Sequence, residues 1–214
     1  MIKLIMFDLD GTLVDSGLDL ANALNHATVP FGYPELSVEQ TKCLVGDGVN
    51  QLIEKAVGQG NNDVAAKVLQ RFVEYYSRHL TDHTRPYPGV RETLAGLSGY
   101  KKAVVSNKME AMSRKILDDL GLLVFFDLVL GSDSVEERKP SPMPLLRAME
   151  LLSVPPHEAV MVGDSSHDIT AGRSAGSMTV AVSYGFRERS TLSNADHIID
   201  SPAGLLPLVQ RHGP

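Results

Sequence analysis

The stretch Lys3-Leu-Ile-Met-Phe-Asp-Leu-Asp-Gly-Thr12 decides how the rest of the chain is read. Lys3–Phe7 is a short apolar run without strict alternation, the pattern of a strand buried on both faces. It stops abruptly at Asp8, Asp10 and Gly11, polar and turn-forming residues placed where the strand would end. Runs of the same kind recur at Lys102–Val105, Leu128–Leu130, Ala159–Val162, Thr179–Val182 and His197–Ile199. Helix-like segments separate most of them, such as Met112–Leu120 before Gly121 and Met143–Leu152 after Pro142. Strand alternating with helix predicts an α/β protein, a parallel sheet flanked by helices.

One interval breaks the alternation. Residues 15–83 contain only helical patterns. Val64, Val68, Phe72, Tyr75 and Tyr76 make an apolar stripe at helical spacing. Ser37 with Gln40 predicts a capping box, and Gly58-Gln-Gly-Asn-Asn-Asp63 a loop. Thr84-Arg-Pro-Tyr-Pro-Gly89 reads as the linker back to the sheet. The expected organisation is a core of residues 1–14 and 84–214 with an all-helical insertion, 15–83, after the first strand.

Composition narrows the class of protein. The 214 residues carry 20 Lys+Arg and 26 Asp+Glu, a net charge of −6, and 43% are hydrophobic, so a disordered or fibrous chain is excluded. The acidic balance argues against a nucleic-acid surface, which needs clustered Lys and Arg. Cys43 is the only cysteine and has no intramolecular disulfide partner. No apolar run approaches the ~20 residues a membrane helix needs, so no membrane partner is expected. The apolar start is interrupted by Asp8 and Asp10 and fails as a signal peptide. A cytoplasmic location is the expectation, and nothing in the sequence specifies an oligomeric state.

In open parallel sheets ligands bind outside the carboxyl ends of the strands. Polar motifs follow four of the apolar runs: Asp8-Leu-Asp-Gly-Thr12, Ser106-Asn107, Lys139 in Arg-Lys-Pro-Ser-Pro, and Gly163-Asp-Ser-Ser-His-Asp168. Gathered at one sheet edge, Asp8, Asp10, Asp164 and Asp168 face a single Lys139, and carboxylates this dense call for a cation. Their oxygen donors suit Mg²⁺. His79 and His83 have the spacing of zinc ligands but no third partner, and read as solvated histidines. A magnesium site with a lysine, hydroxyl and amide donors and an Asp able to act as nucleophile suits phosphoryl transfer.

These four motifs, in this order, resemble those of the haloacid dehalogenase-like (HAD) hydrolase superfamily over nearly the whole chain. Pro86-Tyr-Pro-Gly-Val90 and Ala171-Gly-Arg-Ser-Ala-Gly176 are also similar to family segments. The helical insertion resembles the C1 cap of the phosphoglycolate phosphatase and β-phosphoglucomutase branch. The resemblance implies a Rossmann-like three-layer core and a role for each motif residue. Asp8 becomes nucleophile and metal ligand; Asp10 becomes general acid–base and binds the metal through its main-chain carbonyl. Ser106 and Asn107 bind the transferring phosphoryl group, Gly11 allows close backbone approach, Lys139 neutralises Asp8 and the phosphoryl group, and Asp164 ligates Mg²⁺. Asp168 orients Lys139 or a metal-bound water. An Asp at position 10 favours phosphatase or mutase chemistry over dehalogenation, because the dehalogenases of this superfamily lack it.

The expected substrate is a small phosphorylated metabolite, with 2-phosphoglycolate leading by resemblance. The competing readings are a phosphomutase, and a receiver-like module phosphorylated on Asp without turnover. The loop Val45-Gly-Asp-Gly-Val49 resembles a substrate-facing cap loop, which makes Gly46, Asp47 and Gly48 candidate substrate contacts. Asp47 does not suit an acidic substrate, and Lys42 is the nearest cation along the chain. Lys108, following Asn107, reads equally as a substrate contact or an exposed helix lysine. Other residues have plain alternatives: Asp168 as a helix N-terminal charge, His167 as a surface residue and Cys43 as a small buried hydrophobe.

Overall fold

The computed structural model describes residues 1–58 and 60–211. Of the expected loop at Gly58–Asp63, Gln59 lies outside the described residues. The main sheet has six parallel strands: β1 (Leu4–Phe7), β4 (Lys101–Val105), β5 (Leu128–Leu130), β6 (Ala159–Gly163), β7 (Met178–Val182) and β8 (His197–Ile199). A two-residue strand β2 (Val14–Asp15) pairs with β3 (Arg85–Pro86). Every apolar run of the sequence forms a strand, with ends shifted by at most one residue. The spatial order is β5-β4-β1-β6-β7-β8. Counted along the main sheet alone this is 3-2-1-4-5-6, the Rossmann order, whose strand direction of travel reverses beside β1. The sheet therefore has its switch point between β1 and β6, and Asp8 and Asp164 follow those two strands.

Burial explains the non-alternating sequence of β1, since all four of its residues are buried. Leu4 and Met6 pack with Leu145, Ala148 and Met149 of α7 (Met143–Leu151) and Ala171 of α8 (Ser166–Ala175). Both neighbours hold the strand in register, with Phe7 opposite Val104 of β4 and Val162 of β6. The Asp8 amide extends the ladder by donating to the Val162 carbonyl at 2.9 Å, so the first carboxylate motif leaves the sheet already anchored.

Two compact units divide the chain, Met1–Asp15 with Pro86–Pro214, and Ser16–Arg85. The second unit contains α1 (Gly17–Thr28), α2 (Val38–Leu44), α3 (Gly48–Val57) and α4 (Asn62–Tyr76). Val68, Phe72 and Tyr76 form the buried face of α4, which packs on α1. The capping box opens α2: Ser37 Oγ accepts from the Gln40 amide at 3.1 Å, and Gln40 Oε1 accepts from the Ser37 amide at 2.8 Å. Asp19, buried in the first turn of α1, accepts from the amides of His83 and Thr84 and from Thr84 Oγ1. Cys43 is exposed, contrary to expectation. The seven-residue α2 buries only Thr41, and two positions along a helix turn a side chain to the opposite face.

Candidate active site

Lys139 is the hub of the strand-end motifs. Its side chain is 2% exposed, and its ammonium donates to Asp8 Oδ1 at 3.0 Å, Asp168 Oδ1 at 2.6 Å and the Val105 carbonyl at 2.6 Å. Burial alone would lower the lysine pKa, but the two carboxylates outweigh it and hold the group above its ordinary value. Asn107 fixes the Lys139 backbone: its Nδ2 donates to the Lys139 carbonyl at 2.8 Å and its Oδ1 accepts from the Lys139 amide at 3.0 Å. The side chain expected to bind phosphoryl oxygens thus also clamps the second motif to the third.

Asp168 divides its oxygens between two tasks. Oδ2 accepts from the amide and hydroxyl of Ser165, a capping box at the start of α8, while Oδ1 takes Lys139. The helix-terminal charge and the lysine partner, posed as alternatives in the sequence, are one residue doing both.

Asp8, Asp164 and Asp168 each place an oxygen within 4.8 Å of the others, the one group among the described residues that could hold a metal ion. Burial, then the neighbouring Asp168 and Asp8 charges, push Asp164 up to about 8. Burial also raises Asp8, to about 6, against the pull of Lys139. Both shifts come first from burial, with neighbouring carboxylates adding to them. The backbone closes tightly around Asp164: a Cβ on Gly11 would fall 2.2 Å from Asp164 Oδ2, and one on Gly185 would fall 2.4 Å from the Gly11 carbonyl. Gly11 also needs its φ of +83°. The Phe186 amide donates to Asp164 Oδ2 at 2.7 Å. Hard oxygen donors, crowded and under-neutralised, fit a divalent cation.

These motifs identify the family. Residues 5–182 match the profile described as Haloacid dehalogenase-like hydrolase. The chain belongs to the haloacid dehalogenase-like hydrolases. It is 41% identical to a phosphoglycolate phosphatase of Chromobacterium violaceum, over 98% of this chain and 97% of that protein. It is 37% identical to a phosphoglycolate phosphatase of Aquifex aeolicus, over 99% and 98%. A crystal structure of a predicted phosphoglycolate phosphatase from Haemophilus somnus superposes with a TM-score of 0.90 at 34% identity, covering 98% of each chain. A β-phosphoglucomutase from Clostridium difficile, 21% identical with a TM-score of 0.83, shares the fold alone.

Asp10 lies in the turn after β1, and both of its carboxylate oxygens accept from Lys108 Nζ, at 2.8 and 2.7 Å. Of the two readings of Lys108, substrate contact or exposed helix lysine, the structure excludes the second. Its side chain is 8% exposed, and it sits in the loop after Asn107 rather than on α6 (Glu110–Asp119). Adjacency to Ser106-Asn107 was the only available signal. The Ser106 hydroxyl accepts from the Lys108 amide at 3.3 Å.

In the helical unit, Gly46 and Gly48 adopt φ of +126° and +78°, and Asp47 stands at the N-terminus of α3. The Asp47 carboxylate accepts from Lys55 Nζ at 2.5 Å. Lys55 therefore brings a cation to the Gly-Asp-Gly loop that the loop sequence itself lacks. His79 pairs with Asp82 and stacks on Tyr75, which accounts for it without a metal. Among the described residues no helix is long and apolar enough to cross a membrane.

Proposed function

We propose that this HAD-type phosphatase hydrolyses 2-phosphoglycolate through an aspartyl-phosphate on Asp8. One observation carries the mechanism: a buried lysine holding Asp8 at the sheet's switch point, beside Asp164 and Asp168. The substrate rests on the near full-length likeness to proteins named phosphoglycolate phosphatase.

An Asp8 oxygen attacks phosphorus as the ester P–O bond breaks. Asp10, two residues on, gives its proton to the departing alkoxide. Water then attacks the acyl phosphate, Asp10 takes the water's proton, and phosphate leaves with Asp8 restored. Lys139 offsets negative charge on Asp8 and the phosphoryl oxygens, and Ser106 and Asn107 line their position. The family resemblance would assign Mg²⁺ to Asp8, Asp164 and the main-chain carbonyl of Asp10, with Asp168, bonded to Lys139 and Ser165, beside them. When bound, the ion supplies positive charge to the transferring group. Residues 15–83 are proposed as the cap, with Gly46, Asp47 and Gly48 as its contacts to substrate.

The test is a panel of 2-phosphoglycolate, sugar phosphates, nucleotides and pyrophosphate, assayed with Mg²⁺ and with EDTA. The expected result is the highest kcat/KM on 2-phosphoglycolate, lost in EDTA and restored by Mg²⁺. A higher kcat/KM on another ester overturns the substrate, and undiminished activity in EDTA overturns the cation. Transfer of phosphate to a sugar hydroxyl in preference to water would make the protein a mutase.

A further inference from the structure

An Asp side chain does not hold its own carboxylate plane, because rotation about the bond to an sp² carbon is broad and roughly two-fold. A carboxyl group that must hand a proton to one atom of a leaving group needs that plane set from outside. Asp10 has such an anchor. The Lys108 ammonium spans both of its oxygens at 2.8 and 2.7 Å, with the lysine 8% and the aspartate 10% exposed. The anchor is itself held at the main chain: the Lys108 amide donates to Ser106 Oγ at 3.3 Å, and its carbonyl accepts from the Ser132 amide at 3.0 Å.

We propose that Lys108 is the positioning residue for Asp10, fixing the orientation from which that carboxyl group serves the leaving alkoxide. The proposal rests on the reading of Asp10 as general acid–base. It differs from a role for Lys108 as receptor for the substrate's carboxylate, the other use a buried cation at this edge could have.

Leaving groups separate these possibilities. An alkoxide needs a proton from Asp10 as it departs, whereas p-nitrophenolate leaves without one. kcat/KM is measured for Lys108→Met on 2-phosphoglycolate, ethyl phosphate and p-nitrophenyl phosphate. General acid–base catalysis contributes ~10²–10⁴-fold, so the expected loss is about 10²-fold on both alkyl esters and within about threefold on the aryl ester. Lys108→Arg, whose guanidinium can also bridge two carboxylate oxygens, is expected to recover most of the alkyl-ester activity. It also provides the test if the methionine variant fails to fold. A loss on 2-phosphoglycolate alone assigns Lys108 to the substrate's carboxylate and overturns the proposal. An equal loss on all three esters, in either variant, is structural damage and also overturns it. Asp10→Asn is the control. If that variant shows no dependence on the leaving group, the acid–base reading itself fails; if it does and Lys108→Met does not, only the positioning role fails.

Discussion

Asp164→Asn should make the cation-free protein more stable while removing its activity. The Asp164 carboxyl rises from 3.8 to about 8, chiefly through burial and then through the Asp168 and Asp8 charges. The folded state thus holds this proton more tightly than the unfolded chain, and stability falls as pH rises from about 4 to about 8. Near pH 7 roughly 3 of those units are realised, a ceiling of about 4 kcal/mol at 1.36 kcal/mol per unit. Relaxation and an effective dielectric well above that of dry protein bring the expected gain to about 2 kcal/mol. Asparagine keeps the shape and can still accept from the Phe186 amide, so no cavity offsets the gain. Urea denaturation in EDTA at about pH 4.5 and pH 7.5 measures it: the variant should match the wild type at the lower pH and exceed it at the higher. Saturating Mg²⁺ should reverse the order, since a ligand at 100 times its Kd adds ~2.7 kcal/mol to whichever protein binds it. A variant no more stable than wild type in EDTA at pH 7.5, or a difference independent of pH, refutes the reasoning.

Asp8→Asn should lower turnover by roughly 10⁴-fold or more while leaving a folded protein that binds 2-phosphoglycolate by calorimetry; near-wild-type turnover would end the covalent route. Lys139→Met strands Asp8 and Asp168 without their cation, and should cost about 3–5 kcal/mol in a urea titration near neutral pH. A loss below about 1 kcal/mol would mean that the lysine is not paired as described. Gly185→Ala would place a Cβ 2.3 Å from Asp164 Cβ and 2.4 Å from the Gly11 carbonyl, so the backbone must move. Calorimetric Mg²⁺ affinity should fall by about 10-fold or more, and unchanged affinity would contradict the close approach.

The strands were legible because burial on both faces leaves a local mark, an unbroken apolar run, and β1 carries it in all four residues. The four motifs were legible because polar residues stop each run at the edge where a parallel sheet collects them. Partnerships between motifs were not. Nothing in the sequence says that Asn107 reads the Lys139 backbone 32 residues away, or that Lys108 crosses 98 residues to Asp10. Those contacts depend on the strand order 5-4-1-6-7-8, which local patterns do not encode. The exposed-helix reading of Lys108 failed because the helix begins only at Glu110, so Lys108 stays in the loop and its side chain turns inward to Asp10. Cys43 was misjudged because a seven-residue helix with one buried residue leaves too weak a periodicity to say which face is inside.

Asp168 ties the start of a helix to the lysine that faces Asp8. The oxygen that caps α8 and the oxygen that restrains Lys139 belong to one carboxylate, so loosening the first turn of the helix also removes one of the three acceptors that hold the lysine ammonium. Mild denaturant should silence activity in step with amide exchange at Ser165, ahead of global unfolding. The helix start and the lysine that faces Asp8 thus share one fastening, and that experiment tells whether they let go together.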